Sequence, residues 1–485
     1  MAAEVLEAAW GLDAAPDDRR DDTGSVRPAG GTGAPRAPDT ALLRRADLAM
    51  ALIDSLLTEQ VNAILHHPRF RRLEATWRGI AYLARIADEN DRLKVKVLSI
   101  SWPEICRDHE RSLEFDQSQL FSKIYSEEFG MPGGQPYGLL VGDYEITHRR
   151  GAGGNNTDDI AALQAVSQVA AAAFSPFVVG ASPSLFGLDS FTTLELPIDL
   201  DGIFQQQEYV RWRSFRGRED ARFVGVVLPR VLMRLPYRDD GSRHDGFRFA
   251  EDCSADDLTG YVWGSAAYAF AGTVMRAFAA AGWFVDIRGA RRDRDGAGLV
   301  TDLPAYGFET ERREVVARHA TDVALSERQE KALGDLGFIP LAAARDTPWS
   351  VFYSNQSVQL PKTFDRAAGT QNARLSTMMQ YMLCIARFAH FIKVIARDRV
   401  GSFQSPDECQ SQINNWLLGY CNSSMNASAE MLARFPLRAA SVRVREPPDR
   451  PGAYQCVIHL QPHFQLDELQ SEFQLATELA GRPQN

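Results

Sequence analysis

The sequence predicts an α/β protein with an N-terminal helical hairpin, a central mixed α/β region, and C-terminal helices followed by strands. Three patterns predict it. Apolar residues recur at helical spacing between residues 53 and 80, broken at His66-His67-Pro68. Strand-like and helix-like runs then alternate from residue 137 to residue 287. Three segments beyond residue 440 alternate apolar with polar residues. The divisions read as 1–40, a disordered segment holding a short amphipathic island; 41–90, the hairpin; 91–370, the central α/β region; and 371–485, the C-terminal helices and strands.

Each element has a local cause. Residues 13–40 carry almost no large apolar side chains, so they cannot offset the entropy of ordering and read as a tether. Ahead of them Val5, Leu6, Ala9 and Trp10 share one helical face, as a docking peptide would. Ile53, Leu57, Val61 and Ile64 make the first hairpin helix, which proline ends; Phe70, Leu73, Trp77 and Ile80 make the second. Leu93, Val95 and Val97 alternate with lysines as a half-buried strand. Tyr137–Val141 and Pro176–Gly180 read as buried strands around a helix over Asp158–Phe174. Phe223–Leu228 and Phe284–Ile287 read likewise around a helix over Tyr261–Ala281. Met378–Ile395 is apolar enough to suggest a membrane span, but Arg387, His390 and Lys393 draw a polar stripe along it. It reads as a buried helix with one wet or paired side, and no membrane span is expected. Ser405-Pro406-Asp407-Glu408 starts a further helix. Val442 with Val444, residues 454–460, and Phe473 with Leu475 mark three strands facing a core.

Composition narrows the function. A net charge of −10 over 485 residues, without a Lys/Arg run, argues against nucleic acid as a partner. Six scattered cysteines without a CxxC suit reduced thiols in cytosol. Phosphate-loop, nucleophile-elbow, HExxH and EF-hand motifs are absent. Cys456 and His459 point to opposite faces of a strand, so no metal is expected there, and no cofactor anywhere. Asp143 and Glu145 end a buried strand, and Ser182 follows another; both places could serve an α/β enzyme, yet two acids at this spacing are common by chance and Ser182 lacks the closing glycine of a nucleophile elbow. Trp77, Trp212, Trp263 and Trp416 lie in periodic segments and are expected in cores.

Longer phrases then give a resemblance. They include Leu65-His66-His67-Pro68, Leu73-Glu74-Ala75-Thr76-Trp77-Arg78-Gly79 and Glu128-Phe129-Gly130-Met131-Pro132-Gly133-Gly134. Tyr137-Gly138-Leu139-Leu140-Val141-Gly142-Asp143-Tyr144, Leu185-Phe186-Gly187-Leu188-Asp189-Ser190-Phe191 and Trp212-Arg213-Ser214-Phe215-Arg216 continue in order. Asp335-Leu336-Gly337-Phe338-Ile339-Pro340-Leu341, Arg387-Phe388-Ala389-His390 and Pro462-His463-Phe464-Gln465-Leu466-Asp467 follow. Over residues 50–480 the chain resembles the TssC/VipB family of type VI secretion sheath large subunits. The resemblance implies a cytoplasmic, non-enzymatic subunit that co-polymerises with a small subunit (TssB/VipA family) and with copies of itself. The lattice would surround an inner tube, meet a baseplate, and contract to drive the tube outwards. It further implies strand exchange between subunits, which would give Val442, Val444, Phe473 and Leu475 an intersubunit role. Recycling by an AAA+ unfoldase (ClpV family) is implied too, with Val5, Leu6 and Trp10 as its recognition island. An α/β enzyme using Asp143 or Ser182, and a non-contractile sheath-related scaffold, stay open as alternatives.

Overall fold

The computed structural model describes residues 40–131, 133–151, 157–241, 247–253, 258–290, 296–305, 307–308, 316–317, 319–344, 347–398, 406–424, 427–445, 454–463 and 473–479. The island at Val5, Leu6 and Trp10, the tether before residue 40 and the cap at Ser405 lie outside them. The chain divides into two compact units, one of residues up to Arg71 with Pro236–Gly260, the other of Arg72–Leu235 with Tyr261–Asn485.

In the first unit, α1 (Thr40–Leu65) runs for 26 residues without a buried side chain. It is the one helix among the described residues long and apolar enough to cross a membrane by length and composition. The rest of this unit is the Pro236–Gly260 excursion, in which Phe249 and Glu251 are the buried residues among those described.

The second unit holds the main core. Helix α2 (Pro68–Asp88) enters it from the first, and α3 (Trp102–Arg111) follows with a capping box on Ser101 and Glu104. A six-stranded sheet has the order β1-β2-β3-β9-β10-β6. Its strands are β1 (Leu140–Ile146), β2 (Phe177–Ala181), β3 (Val224–Leu228), β6 (Leu299–Val300), β9 (Ile339–Ala343) and β10 (Ser350–Phe352). The first four in that order pair in parallel, while β10 pairs antiparallel to both β9 and β6. This is the partly parallel sheet expected from alternating strands and helices. Helix α4 (Asp159–Ala173), capped by Asp158, crosses from β1 to β2. Two further pairs are antiparallel: β4 (Val231–Arg234) with β5 (Val262–Gly264), and β7 (Gly307–Phe308) with β8 (Val316–Ala317). Helix α5 (Ala266–Ala281) starts at the Ser265 cap rather than at Tyr261, because Val262–Gly264 pairs as β5. It ends at Gly282, whose φ of 78° suits the left-handed cap. Helix α6 (Glu327–Asp335) leads into β9.

Several sequence expectations shift here. The first strand begins at Leu140, not Tyr137. Residues 93–97 form no strand: Val95 and Val97 are exposed and no ladder partner reaches them among the described residues. Phe284, Val285 and Ile287 are buried as expected, but the segment forms no strand among the described residues. Trp212 is buried and Trp263 and Trp416 are partly so, whereas Trp77 is 62% exposed. The Phe70–Leu73–Trp77 stripe faces outward because Ala75, Gly79, Tyr82 and Ile86 form the buried side of α2 instead.

Candidate lattice interface

The C-terminal part builds a second core. Helices α7 (Ala367–Ser376), α8 (Met379–Asp398) and α9 (Pro406–Leu418) precede an antiparallel sheet of β11 (Leu437–Arg445), β12 (Tyr454–Pro462) and β13 (Phe473–Leu479), in that order. Along β11 the side chains alternate as the sequence required: Val442 and Val444 are buried, Arg443 and Arg445 exposed. Val442 pairs with Ile458 and Val444 with Cys456, and all four join Ile385, Phe388, Ile413 and Leu417 in one cluster. Cross-strand partners share a face, so this face is apolar and the arginine face is polar. Backbone register continues to β13, placing Leu475 opposite Ile458 and Phe473 opposite Leu460.

The two outer strands end differently. On β11 the Val444 amide donates to Gln410 Oε1 at 3.0 Å. At the other end of that strand, Leu437 and residues 420–422 exchange bonds, Asn422 N–H donating to the Leu437 carbonyl at 2.8 Å. Its edge is therefore partly closed. Among the described residues β13 pairs with no strand but β12.

Beneath this sheet, α8 carries the polar stripe of the sequence, and each member has a partner. His390 is buried and lies 2.8 Å from the Ala173 carbonyl through Nε2. Burial lowers its pKa to about 4, so it is neutral near pH 7 and Nε2 donates. The Lys393 ammonium sits 3.7 Å from the Phe129 ring centroid and donates to the Tyr125 hydroxyl. The Arg387 guanidinium lies 4.5 Å from the Phe391 centroid.

The phrase from Leu73 to Gly79 is explained by how α2 meets its own unit. Glu74 pairs with Arg234 at 2.6 Å, both side chains nearly buried, and also receives Arg78 at 2.8 Å. Thr76 donates to Asp143. A Cβ on Gly79 would lie 2.4 Å from the Tyr268 ring, and one on Gly272 would lie 2.5 Å from the Tyr82 ring. Helices α2 and α5 thus interlock, each glycine admitting the other's tyrosine. Leu73 and Trp77, on the far side, remain 55% and 62% exposed.

The residues weighed for catalysis are occupied elsewhere. Asp143 is held by Thr76 and Tyr268, and burial raises its pKa despite those bonds. Ser182 Oγ lies 2.9 Å from Ser184 Oγ and its amide donates to the Ile146 carbonyl. Cys456 is buried while His459, three residues on, is only partly so, in keeping with opposite faces. One group with metal-ligand chemistry escaped the sequence reading: His66, Glu251 and Cys253 bring their ligand atoms within 4.8 Å of one another. Their wide separation along the chain gives no spacing motif to read.

Comparison with known proteins agrees with these features. Residues 47–359 match the family described as EvpB/VC_A0108, tail sheath N-terminal domain, and residues 368–479 match its tail sheath gpW/gp25-like domain. The type VI secretion system sheath protein TssC1 of Pseudomonas aeruginosa is 38% identical over 89% of this chain and 85% of its own. Two solved structures align loosely. One is the anti-feeding prophage baseplate, at 11% identity over 73% of each chain with a TM-score of 0.33. The other is the sheath tail protein of Desulfitobacterium hafniense, at 12% identity over 66% of this chain and 60% of that one, with a TM-score of 0.29. Overlays that loose carry no residue correspondence. The matched domains and the 38% identity decide the matter: this chain belongs to the TssC/VipB family of type VI secretion tail sheath proteins.

Proposed function

We propose that this chain is a cytoplasmic, non-catalytic subunit that co-polymerises with a small sheath subunit of the TssB/VipA type around an inner tube. Contraction of that lattice, anchored at a baseplate, drives the tube outwards. The observation that carries the reading is the C-terminal sheet, packed on its own core across one face while no second strand pairs with β13 among the described residues. An open antiparallel edge is a template for a strand from another subunit, main-chain bonds giving affinity and side-chain register giving specificity. Val442 and Val444 tie the sheet to α9, and Phe473 and Leu475 occupy the register positions that set the last strand. The division near residue 371 would then separate a sheath body from a strand-exchange region. The exposed Leu73 and Trp77 face of α2 would be covered by a further sheath subunit in the same lattice. Val5, Leu6 and Trp10 remain the segment for recognition by a ClpV-type unfoldase.

A charge on β13 tests the assembly role. Burying a Leu contributes roughly 1.5–3 kcal/mol, and a buried carboxylate adds its desolvation cost. Leu475→Asp should therefore abolish tubules on co-expression with the small subunit, while a protease-resistant, cooperatively melting body persists. Normal tubules from that variant would refute the role given to β13.

A further inference from the structure

The first unit contains a three-sided ligand set that sheath assembly leaves unexplained. His66 closes the helix-end phrase after α1, and Glu251 and Cys253 lie on the Pro236–Gly260 excursion. The His66 Nε2 atom is 3.3 Å from Glu251 Oε1 and 3.9 Å from Cys253 Sγ. Bond lengths for tetrahedral zinc predict ligand-to-ligand edges of about 3.4 Å for N···O and about 3.6 Å for N···S. The first edge already matches, and the second needs a closure of a few tenths of an ångström.

The surroundings orient these groups. The Glu251 side chain is fully buried and its Oε2 accepts the Tyr237 amide at 3.0 Å, which leaves Oε1 turned towards the imidazole. The Asp252 amide donates to Asn62 Oδ1 at 3.1 Å, fixing the residue between the two ligands against α1. Supports of this kind hold metal ligands in place. His66 keeps 27% of its side chain exposed, so a solvent molecule can reach a fourth position.

A second observation stands apart from the distances. Among its described residues this unit has almost no apolar core of its own, since α1 buries no side chain and Phe249 is the one buried apolar residue of the excursion. Segments so poor in core ordinarily need a staple, and a bound metal is one of the few available inside a single chain.

We infer that His66, Glu251 and Cys253 bind one zinc-type divalent transition metal, which pins the Pro236–Gly260 excursion to the C-terminal end of α1. The imidazole, carboxylate and thiolate set suits zinc by donor type. Binding requires the thiolate, so the Cys253 proton is released to solvent as the metal enters.

The experiment uses the full-length protein, stripped by a chelator and titrated with Co2+ as the spectroscopic probe for zinc. The expected result is a thiolate-to-cobalt charge-transfer band that saturates at one equivalent, vanishes in Cys253→Ser, and needs at least about 100-fold more metal in His66→Gln and Glu251→Gln. In unsubstituted protein, Zn2+ should also protect Cys253 from alkylation and leave Cys421, a partly exposed thiol in the other unit, unprotected. No band in the unsubstituted protein, an unchanged band in Cys253→Ser, or equal alkylation of Cys253 with and without Zn2+ would each overturn the inference. The trio would then be a hydrogen-bonded cluster only.

Discussion

Replacing Arg234 with leucine isolates the contact on which α2 is seated. The Arg234 and Glu74 side chains are 6% and 11% exposed and meet at 2.6 Å. Removing the guanidinium leaves a buried carboxylate, a change that costs about 3–5 kcal/mol when no counter-charge remains. Here Arg78 still donates to Glu74 at 2.8 Å from a side chain that is 37% exposed, so the loss should fall near the low end, about 3 kcal/mol. At roughly 2 °C per kcal/mol for a chain of this size, the melting temperature should drop by about 6 °C. The paired change Glu74→Met with Arg234→Leu removes both charges and should recover most of that loss, because apolar replacements of buried pairs are often neutral. Thermal melts of the four proteins in the cycle, followed by circular dichroism, supply the comparison. Equal stability of Arg234→Leu and the parent would refute the reasoning, as would a double variant no better than the single one.

Two further outcomes follow from the geometry. His390 is held neutral, with its folded pKa near 4 against an ordinary value of 6.5. Its stabilising contribution is complete above about pH 6.5 and is lost as pH falls towards 4, because the unfolded chain takes up the proton first. The loss should be on the order of 3 kcal/mol, and His390→Gln should flatten the stability curve in that window; an unchanged acid limb would sink the assignment. Trp77→Gln should shift the melt of the isolated chain by no more than about 0.5 kcal/mol, since the ring is mostly exposed, yet it should weaken co-assembly with other sheath subunits. A large stability loss with normal assembly would place Trp77 in the subunit's own core.

Much of this was legible in the chain because the strongest patterns are local. The break at His66–Pro68, the alternation of β11 and β12, and the polar stripe on α8 all follow from spacing, and each was found where spacing put it. The failures share a physical cause. Periodicity shows that a helix has an apolar face but not what covers it, so Trp77 reads as a core residue while the core lies on the Ala75–Gly79–Tyr82 side. Glycine and tyrosine carry the α2–α5 interlock, and neither announces a tight crossing in sequence. Residues 93–97 alternate as a strand should, but a strand exists only where another backbone pairs with it. His66, Glu251 and Cys253 meet through the fold alone.

The central claim is that this chain forms a contractile polymer through its C-terminal sheet. Electron microscopy of the full-length chain co-expressed with its small subunit tests it most directly, with the same preparation truncated after residue 469 beside it. The account predicts regular hollow tubules from the intact pair and none from the truncated pair, although both large subunits stay folded. Tubules from the truncated pair, or only discrete closed complexes from the intact one, would contradict it.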